Sequence, residues 1–369
     1  MHNSYLDYWG QIYDNHLGDS MAEKAVLISD THFKFGTQFD RTGSNGLSMR
    51  LQEIIDSIRW AAATGKEKGA TLFIMGGDIF ERPEKLPTKE GLAIQNLFID
   101  LSKQFKHVLS LVGNHDQLSR ESSILDLYNP TITVFNKPTI LDTKSARLFF
   151  VPYIREPQDL YAVINQFATQ DTVNKKYLFA HFWDSTVVPV DPDAIDISKF
   201  PANFFDRIFC GHYHVPSKLT TSPLIYMGTL LNKSFGETGK KGCWILDMDK
   251  NKTTFIENPH SPEFFSTTDT NILSILEANE LNTNAYYRIF TDPENVTQIT
   301  TSLGPLVKGF ELLQKKESES STSVSIENIE KKNLQSFKDY ILENCSPFKP
   351  ADISLDEFKE KGAELLQNI

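Results

Sequence analysis

Short apolar runs that alternate with longer helical patterns restrict the fold of this chain more than any other feature. Between residues 25 and 257 these runs are rich in β-branched and aromatic residues, as buried strands are. They are AVLIS (25–29), TLFIM (71–75), HVLSLV (107–112), RLFFVPY (147–153), YLFA (177–180) and RIFC (207–210). Apolar spacing predicts a helix between the first two runs and another from about Thr88 to Phe105. The alternation predicts an α/β core with mostly right-handed crossovers.

The pattern changes after Tyr226, and the change divides the chain into regions. CWILDMD and KTTFIE, joined by a short DKN turn, predict a β-hairpin that closes the core. We expect a polar N-terminal extension (1–24), a main α/β domain (25–264), a small α+β domain (265–326) and a helical tail (327–369). The small domain would contain a strand at AYYRIF, a helix near 295–303, a strand near FELLQ and the polar loop 315–323. Two amphipathic helices are predicted in the tail.

Composition limits where the chain works and what it can bind unaided. Its three cysteines, Cys210, Cys243 and Cys345, form no CxxC pair, so neither a disulfide framework nor a thiolate zinc site is indicated. No apolar run approaches the roughly 20 residues that cross a bilayer, and the first 24 residues lack the apolar core of a secretory signal. We therefore expect a cytoplasmic protein. The formal net charge of −11 predicts that binding a polyanion would need local patches, metal ions or a partner.

Potential metal ligands follow the predicted strands at the points where the apolar runs end. These strand ends carry Asp30 and His32, then Asp78, then Asn114, His115 and Asp116, then His181, and finally His212 and His214. Five of the nine histidines lie there. Because ligand sites in open α/β sheets form at the carboxyl ends of strands, we expect these side chains to share one site. A single Gly-Asp or Asp-x-His is ordinary in turns, so the prediction depends on all five placements together.

The chemistry of this set favours a pair of divalent metal ions. Carboxylates, imidazoles and an amide oxygen, without thiolates, suit Mn²⁺, Fe or Zn²⁺ and leave positions open for water. Two such ions about 3.5–4 Å apart can activate water at neutral pH and hold a phosphate group for in-line attack. Side chains at i and i+2 of an extended stretch share a face, so His212 and His214 would each reach one metal while Tyr213 points away. Gly211 would let the backbone turn tightly before them.

The ordered motifs D-x-H, G-D, G-N-H-D, H and G-H-x-H resemble those of the calcineurin-like metallophosphoesterases, over about residues 25–214. The resemblance implies a four-layer α/β/β/α sandwich. It also implies one metal at Asp30, His32, Asp78 and His214 and a second at Asp78, Asn114, His181 and His212, with Asp78 bridging. His115 would stabilise the transition state or protonate the leaving oxygen, and Asp116 would steady His115. The cofactors would be two divalent ions, with Mn²⁺ favoured over Mg²⁺, Fe or Zn²⁺.

Flanking segments are similar to those of the SbcD-type nucleases, the exonuclease subunits of double-strand-break repair and phage recombination. They are GDIFERP (77–83), VPYIREP (151–157) and IYMGTLLNKSFGETGKKGCWILDMD (225–249). GNHD in place of GNHE, and no Asp-Arg-Gly element after GD, argue against the protein Ser/Thr phosphatases of the superfamily.

The second resemblance implies a DNA exonuclease with some endonuclease activity, which works as a homodimer on double-stranded ends or single strands. Residues 265–326 would be a DNA-facing capping domain, and the helical tail would dock on an SbcC-like coiled-coil ATPase. It implies no membrane partner. It also implies a bacterial or phage source, with the host cytoplasm as location for a phage protein.

Two other functions stay open. The same motifs would suit a small-substrate phosphodiesterase that acts on cyclic or dinucleoside phosphates, and a member without metals would be a scaffold for an ATPase. The tail helices could also pack on their own domain. Near the site, Cys210 is expected in the core. Phe182 and Trp183 either pack in the core, the favoured interpretation, or line the pocket and stack a base.

Overall fold

The structure is a computed structural model of the chain. It describes the backbone of residues 13–16, and residues 24–34, 41–81, 87–119, 122–169, 175–187, 194–201, 203–220, 222–237 and 239–314. All of these residues belong to one compact unit. The predicted tail, the polar loop 315–323 and most of the predicted N-terminal extension lie outside the described residues. Within the described part, no helix is both long enough and apolar enough to cross a membrane.

Strands and helices alternate along the described chain as the sequence predicts. The strands are β1 (Tyr13–His16), β2 (Lys24–Ile28), β3 (Leu72–Met75), β4 (His107–Leu111), β5 (Thr133–Phe135), β6 (Thr139–Asp142), β7 (Ala146–Val151), β8 (Lys175–His181), β9 (Arg207–Gly211), β10 (Ser217–Lys218), β11 (Leu224–Tyr226), β12 (Gly242–Asp247), β13 (Lys252–Glu257), β14 (Glu263–Thr268), β15 (Ala285–Thr291) and β16 (Gly309–Gln314). The helices are α1 (Met49–Glu67), α2 (Thr88–Gln104), α3 (Pro157–Ala168), α4 (Asp269–Glu277) and α5 (Val296–Leu303), with 3₁₀ turns at Ile124–Tyr128, Ile197–Lys199 and Pro293–Asn295. The six strands and two helices predicted for the core are confirmed to within a few residues.

Two mixed sheets form the main body. One has the order β13-β12-β2-β3-β4-β5, and its last four strands are parallel. The other has the order β1-β6-β7-β8-β9-β11-β10, in which β7, β8, β9 and β11 are parallel. The predicted hairpin is β12–β13, and it extends the six-stranded sheet because β12 pairs antiparallel with β2.

Three apolar clusters show how these sheets and helices stack. On the outer face of the six-stranded sheet, α1 and α2 bury residues that include Ile54, Ile58, Leu97 and Phe98. Between the sheets lie residues that include Leu27, Ile74, Phe150 and Phe179. On the outer face of the seven-stranded sheet, α3 contributes Leu160, Ile164 and Phe167. The predicted four-layer α/β/β/α sandwich is therefore confirmed.

A third sheet, β14-β15-β16, is parallel and small. Helices α4 and α5 pack on one of its faces through residues that include Ile272, Ile289, Ile299 and Leu303. Its strands β15 and β16 and its helix α5 match the predicted elements, whereas β14 and α4 were not predicted. The sheet also contacts α1, because the Tyr286 hydroxyl and the Lys308 ammonium donate to the Glu53 carboxylate at 3.1 and 2.5 Å.

Candidate metal centre

The predicted ligands lie at the carboxyl ends of five strands, where the two large sheets come into contact. Asp30 and His32 follow β2, Asp78 follows β3, Asn114 and His115 follow β4, His181 ends β8, and His212 and His214 follow β9. Nδ1 of His181, from the seven-stranded sheet, lies 2.8 Å from the carbonyl oxygen of Gly76, from the other sheet. Because a carbonyl oxygen only accepts, Nδ1 of His181 donates, and Nε2 is the nitrogen that faces the site.

The backbone of this edge is held in an unusual conformation. Four candidate ligands have positive φ angles, which non-glycine residues rarely adopt: Asp30 (52°), His32 (43°), Asp78 (50°) and His212 (80°). Such strain persists only where surrounding contacts hold it. Three hydrogen bonds provide this hold between the loops after β2 and β3: Asp30 N to Gly77 O (3.0 Å), His32 N to Asp78 O (2.9 Å) and Phe33 N to Ile79 O (2.7 Å).

Glycine at position 211 is required for space and not for a turn, which corrects the sequence-based expectation. A Cβ atom on Gly211 would lie 2.5 Å from the Ser29 hydroxyl and 2.6 Å from Nδ1 of His181. The positive φ that redirects the chain belongs to the next residue, His212. Gly211 therefore allows the two sheets to approach, and His212 makes the turn.

Asp30, His32 and His214 form one group of candidate ligands. Nε2 of His32 lies 3.9 Å from Oδ1 of Asp30, and Nε2 of His214 lies 3.9 Å from the same oxygen. Two charged side chains, Glu81 and Lys233, stand beside this group. We call Asp30, His32, His214, Glu81 and Lys233 the charged half of the site.

Asp78, Asn114, His181 and His212 form the second group. Nε2 of His181 lies 3.3 Å from Oδ2 of Asp78, 3.2 Å from Oδ1 of Asn114 and 3.1 Å from Nδ1 of His212. The ring of Trp183 packs against His212 with centroids 4.3 Å apart, and the Tyr153 ring lies 6.0 Å from it. We call Asn114, His181, His212, Trp183 and Tyr153 the aromatic half of the site, and Asp78 belongs to both halves.

Asp78 joins the two halves. Its Oδ2 atom lies 3.6 Å from Nε2 of His32 and 3.3 Å from Nε2 of His181. Its other oxygen, Oδ1, accepts a hydrogen bond from the backbone N–H of His115 at 2.9 Å. One carboxylate oxygen therefore stands between the imidazoles of both halves, while the second oxygen fixes the carboxylate orientation.

His115 is exposed at the mouth of the site, with its ring centroid 4.9 Å from that of His32. Its Nδ1 atom lies 3.2 Å from the carbonyl oxygen of Glu81. Asp116 was expected to steady the His115 ring, and the structure describes contacts of its carboxylate with two backbone loops. Asp116 is fully buried, and its carboxylate accepts from the backbone N–H groups of Ile79, Phe80 and Gly113 at 2.9–3.0 Å. Asp116 therefore braces the loops that follow β3 and β4.

Burial and neighbouring charges shift the pKa values of the histidines at this site in opposite directions. Burial lowers the pKa of His212 to about 3 and that of His214 to about 4, so both imidazoles are neutral at pH 7 and can offer lone pairs. Burial would also lower the pKa of His181, but the charge of Asp78 outweighs it and raises this pKa to about 9. Burial would raise the pKa of Asp78, yet the facing imidazoles hold it well below its usual range.

The donor atoms fit bound metal ions. Nε2 of His32 is buried and has no hydrogen-bond partner among the described residues. Nε2 of His181 has three polar neighbours within 3.3 Å, although one imidazole nitrogen offers a single proton or lone pair. A cation among these atoms would satisfy both nitrogens, and the oxygen and imidazole donors suit Mn²⁺, Fe or Zn²⁺.

Three residues beside the candidate ligands were missed as site residues or assigned a different place. Glu81 places Oε2 2.9 Å from Nδ1 of His32. Lys233 places Nζ 3.4 Å from Nε2 of His214. Both stand in flanking segments that are similar to those of the SbcD-type nucleases, residues 77–83 and 225–249, but only the folded loops show their contacts. Trp183 lines the site, whereas core packing was the favoured interpretation.

The remaining neighbours take the expected places. Phe182 and Cys210 are buried in the core under the seven-stranded sheet. Tyr213 turns away from the ligands and packs against Tyr226, with ring centroids 5.1 Å apart. His212 and His214 therefore both face the site while Tyr213 packs elsewhere, and the left-handed turn at His212 replaces the strand alternation that the sequence predicted.

Comparison with known proteins extends this description. Residues 24–216 match the family model described as calcineurin-like phosphoesterase. Exonuclease subunit 1 of Enterobacteria phage T4 is 23% identical over 251 residues, which cover 64% of this chain and 68% of that protein. Probable exonuclease subunit 1 of Escherichia phage T5 is 27% identical over 205 residues, 53% of this chain and 59% of that protein. Among solved structures, a dimetal phosphatase from Danio rerio is 12% identical, with a TM-score of 0.41, and the match covers 64% of this chain and 96% of that one.

The family match covers more than half of the chain and includes all the strand ends that carry candidate ligands. Calcineurin-like phosphoesterases are metal-dependent hydrolases of phosphoester bonds, in agreement with the groups of candidate metal-binding residues at this site. The chain therefore belongs to the calcineurin-like phosphoesterase family.

Proposed function

We propose that this protein is a two-metal DNA nuclease, an exonuclease with some endonuclease activity. The observation that carries the proposal is the position of Asp78. Its Oδ2 atom lies 3.6 Å from Nε2 of His32 and 3.3 Å from Nε2 of His181, so one oxygen can serve both halves of the site. A shared carboxylate is what a pair of closely spaced ions needs.

The proposed ligands divide as the two halves do. Asp30, His32, Asp78 and His214 would hold one ion, and Asp78, Asn114, His181 and His212 would hold the other. When bound, two divalent ions, for which we propose Mn²⁺, would supply an activated water and polarise the phosphate oxygens. The neutral imidazoles of His212 and His214 leave the positive charge of such ions uncancelled, which favours an anionic substrate.

His115 is the proposed general acid. It is exposed at the mouth of the site, and its Nδ1 atom donates to the Glu81 carbonyl at 3.2 Å, which orients the ring. A proton on Nε2 can pass to the leaving oxygen when the phosphoester bond breaks. The backbone bond from His115 to Asp78 keeps this ring beside the ligands.

DNA is the proposed substrate because two relatives, whose alignments cover more than half of this chain, are named as phage exonuclease subunits. Both relatives are named as subunits, which supports a partner protein, and we propose an SbcC-like coiled-coil ATPase that binds the tail. We also propose that the protein forms a homodimer. A net charge of −11 gives the protein little general attraction for DNA, so a partner or bound metal would supply much of the grip.

The direct test is Mn²⁺-dependent release of nucleotides from linear DNA. His115→Ala and Asp78→Asn should each abolish most of the release, with a loss of about 10²–10⁴-fold for the general acid. His260→Ala is the matched control, because His260 is exposed and lies outside the site. DNA that stays intact with the wild-type protein, alone and with the ATPase, would refute the nuclease.

Two further measurements separate the alternative functions. A small-substrate phosphodiesterase would hydrolyse cyclic or dinucleoside phosphates and leave DNA intact under the same conditions. A scaffold would contain almost no transition metal in freshly purified protein, as elemental analysis measures. For the ATPase partner, a pull-down with full-length protein should succeed and removal of residues 324–369 should abolish it.

A further inference from the structure

The segment from Asn232 to Lys241 brings a lysine into the site. Nζ of Lys233 lies 3.4 Å from Nε2 of His214 and 3.4 Å from the backbone oxygen of Asp30. Both of these atoms belong to residues of the charged half that lie in other loops of the chain. Lys233 is thus a cationic side chain at the candidate metal centre that no ligand role explains.

The ion pair between Glu237 and Lys241 helps to fix the backbone of Lys233. The backbone N–H of Lys233 donates to Oε2 of Glu237 at 3.3 Å. The same oxygen pairs with Nζ of Lys241 at 3.0 Å, and Lys241 also donates to the backbone oxygen of His214 at 3.0 Å. Lys241 is buried. One network therefore holds both Lys233 and the backbone of His214.

The third sheet holds the same segment from the other side. The guanidinium carbon of Arg288, on β15, lies 4.3 Å from the centroid of the Phe235 ring. Phe264, on β14, packs edge-on against Phe235 with centroids 5.2 Å apart. Phe235 is two residues from Lys233, so the third sheet contributes to where the lysine stands.

The charges around the ammonium group define what it can bind. Glu81 and Asp30 act on it from the loops after β3 and β2, and Glu237 and Lys241 act on it from its own segment. His214 contacts it from the loop after β9. An ion held by His214 would stand close to this ammonium and repel it. An anionic group between them would be attracted by both.

We propose that Lys233 is a substrate-binding residue, whose ammonium group contacts a phosphate oxygen at the charged half of the site. This inference rests on the proposed two-metal function. It identifies the ligand chemistry as a phosphate monoanion or diester, and it assigns to the segment Asn232–Glu237 the role of placing a third cation, beside the two metal ions, at the substrate. Lys233 opposes the metal ion in the absence of substrate and cooperates with it when phosphate is bound.

The test measures two affinities that should change in opposite directions. In Lys233→Met protein, the affinity for inorganic phosphate in the presence of saturating Mn²⁺ should fall by about 10–100-fold, the range for a hydrogen bond to a charged group. The affinity of the weaker Mn²⁺ site, measured without phosphate, should rise by about threefold or more because a repulsive charge is gone. Isothermal titration measures both quantities.

Two variants serve as controls. Lys233→Arg keeps the charge and should retain phosphate affinity to within a few-fold. Lys240→Met removes the same charge from the same segment, but the Lys240 side chain is 73% exposed and pairs with Glu257, so both affinities should equal those of the wild type. A purely structural role for Lys233 would weaken Mn²⁺ and phosphate binding together.

Each outcome decides between the two proposals. Wild-type protein that binds Mn²⁺, together with a Lys233→Met variant of unchanged phosphate affinity or weaker Mn²⁺ binding, overturns the role of Lys233 alone. Wild-type protein that binds no Mn²⁺ overturns the two-metal function and this inference with it.

Discussion

The two halves of the metal centre share Asp78 but differ in what surrounds them. In the aromatic half, the His181 side chain is fully buried, its Nδ1 is fixed by a backbone oxygen, and the His212 ring packs against Trp183. In the charged half, the His214 side chain is 36% exposed and faces the ammonium group of Lys233. The comparison indicates a rigid, closed position for one ion and an open position, adjustable by charge, for the other.

The strongest way to break this comparison is to remove one histidine from each half. We expect two classes of Mn²⁺ site in the wild type. His181→Ala should eliminate the tighter class and His214→Ala the weaker class, because preorganised, buried ligands bind without reorganisation. Mn²⁺ titration followed by electron paramagnetic resonance counts the ions, and circular dichroism checks that both variants are folded. If both variants lost the same class, the two halves would not be distinct.

Glu81 offers the next largest effect, because it orients a proposed ligand. Oε2 of Glu81 lies 2.9 Å from Nδ1 of His32, and the contact with His32 lowers the pKa of Glu81 to about 2, so the carboxylate is ionised at neutral pH. Glu81→Gln should weaken Mn²⁺ binding in the charged half by about 10–100-fold, as loss of a carboxylate behind a metal-bound imidazole does. The tighter class should not change.

Glu67→Gln is the matched control for Glu81, since Glu67 is exposed at the end of α1. It should leave both classes of site as they are. Equal Mn²⁺ affinity in wild-type and Glu81→Gln protein would contradict the role of Glu81 in orienting His32 for metal binding.

A smaller effect is expected in the aromatic half. Trp183→Leu removes the ring that packs 4.3 Å from His212, a contact worth about 0.5–1.5 kcal/mol, or about 2–10-fold in affinity. The tighter Mn²⁺ site should weaken by this factor while the weaker site keeps its affinity. An equal loss at both sites would show that Trp183 supports the whole pocket.

The finest distinction between the halves is a single proton. The pKa of His181 is about 9, whereas that of His214 is about 4, so at pH 7 His181, unlike His214, must lose a proton before its Nε2 can bind a metal. Binding at the aromatic half should release about one proton at pH 7, and the release should vanish as the pH rises through 9. Titration calorimetry in buffers of different ionisation enthalpy measures it. Heats that do not depend on the buffer would contradict the assignment.

Local patterns in the sequence were enough to predict the strand ends and hence most of the site. Five of the six predicted apolar runs are followed, directly or after one or two glycines, by an acidic, amide or imidazole residue, and parallel strands bring such ends to one edge. Glu81 and Lys233 could not be assigned in this way. Their contacts with His32 and His214 depend on the paths of two loops, and no spacing along the chain encodes those paths.

The parts of the fold that were missed have weak local signals. β14 is an edge strand of sequence EFFSTT, whose side chains are mostly exposed or half-buried, so it shows no alternation of apolar and polar residues. α4 has only two buried residues, Asp269 and Ile272. The positive φ of His212 was also beyond prediction, because a turn beside a glycine is normally assigned to the glycine.

The left-handed backbone at Asp30, His32, Asp78 and His212 means that this arrangement of donor atoms depends on the surrounding fold and cannot be transferred as a short segment. A peptide copied from any one loop would relax toward ordinary torsion angles, since the left-handed conformation costs each of these residues on the order of 1 kcal/mol in conformational free energy. Grafting the motif letters onto another scaffold would therefore reproduce the composition of the site without its shape, unless two abutting sheets were transplanted with it.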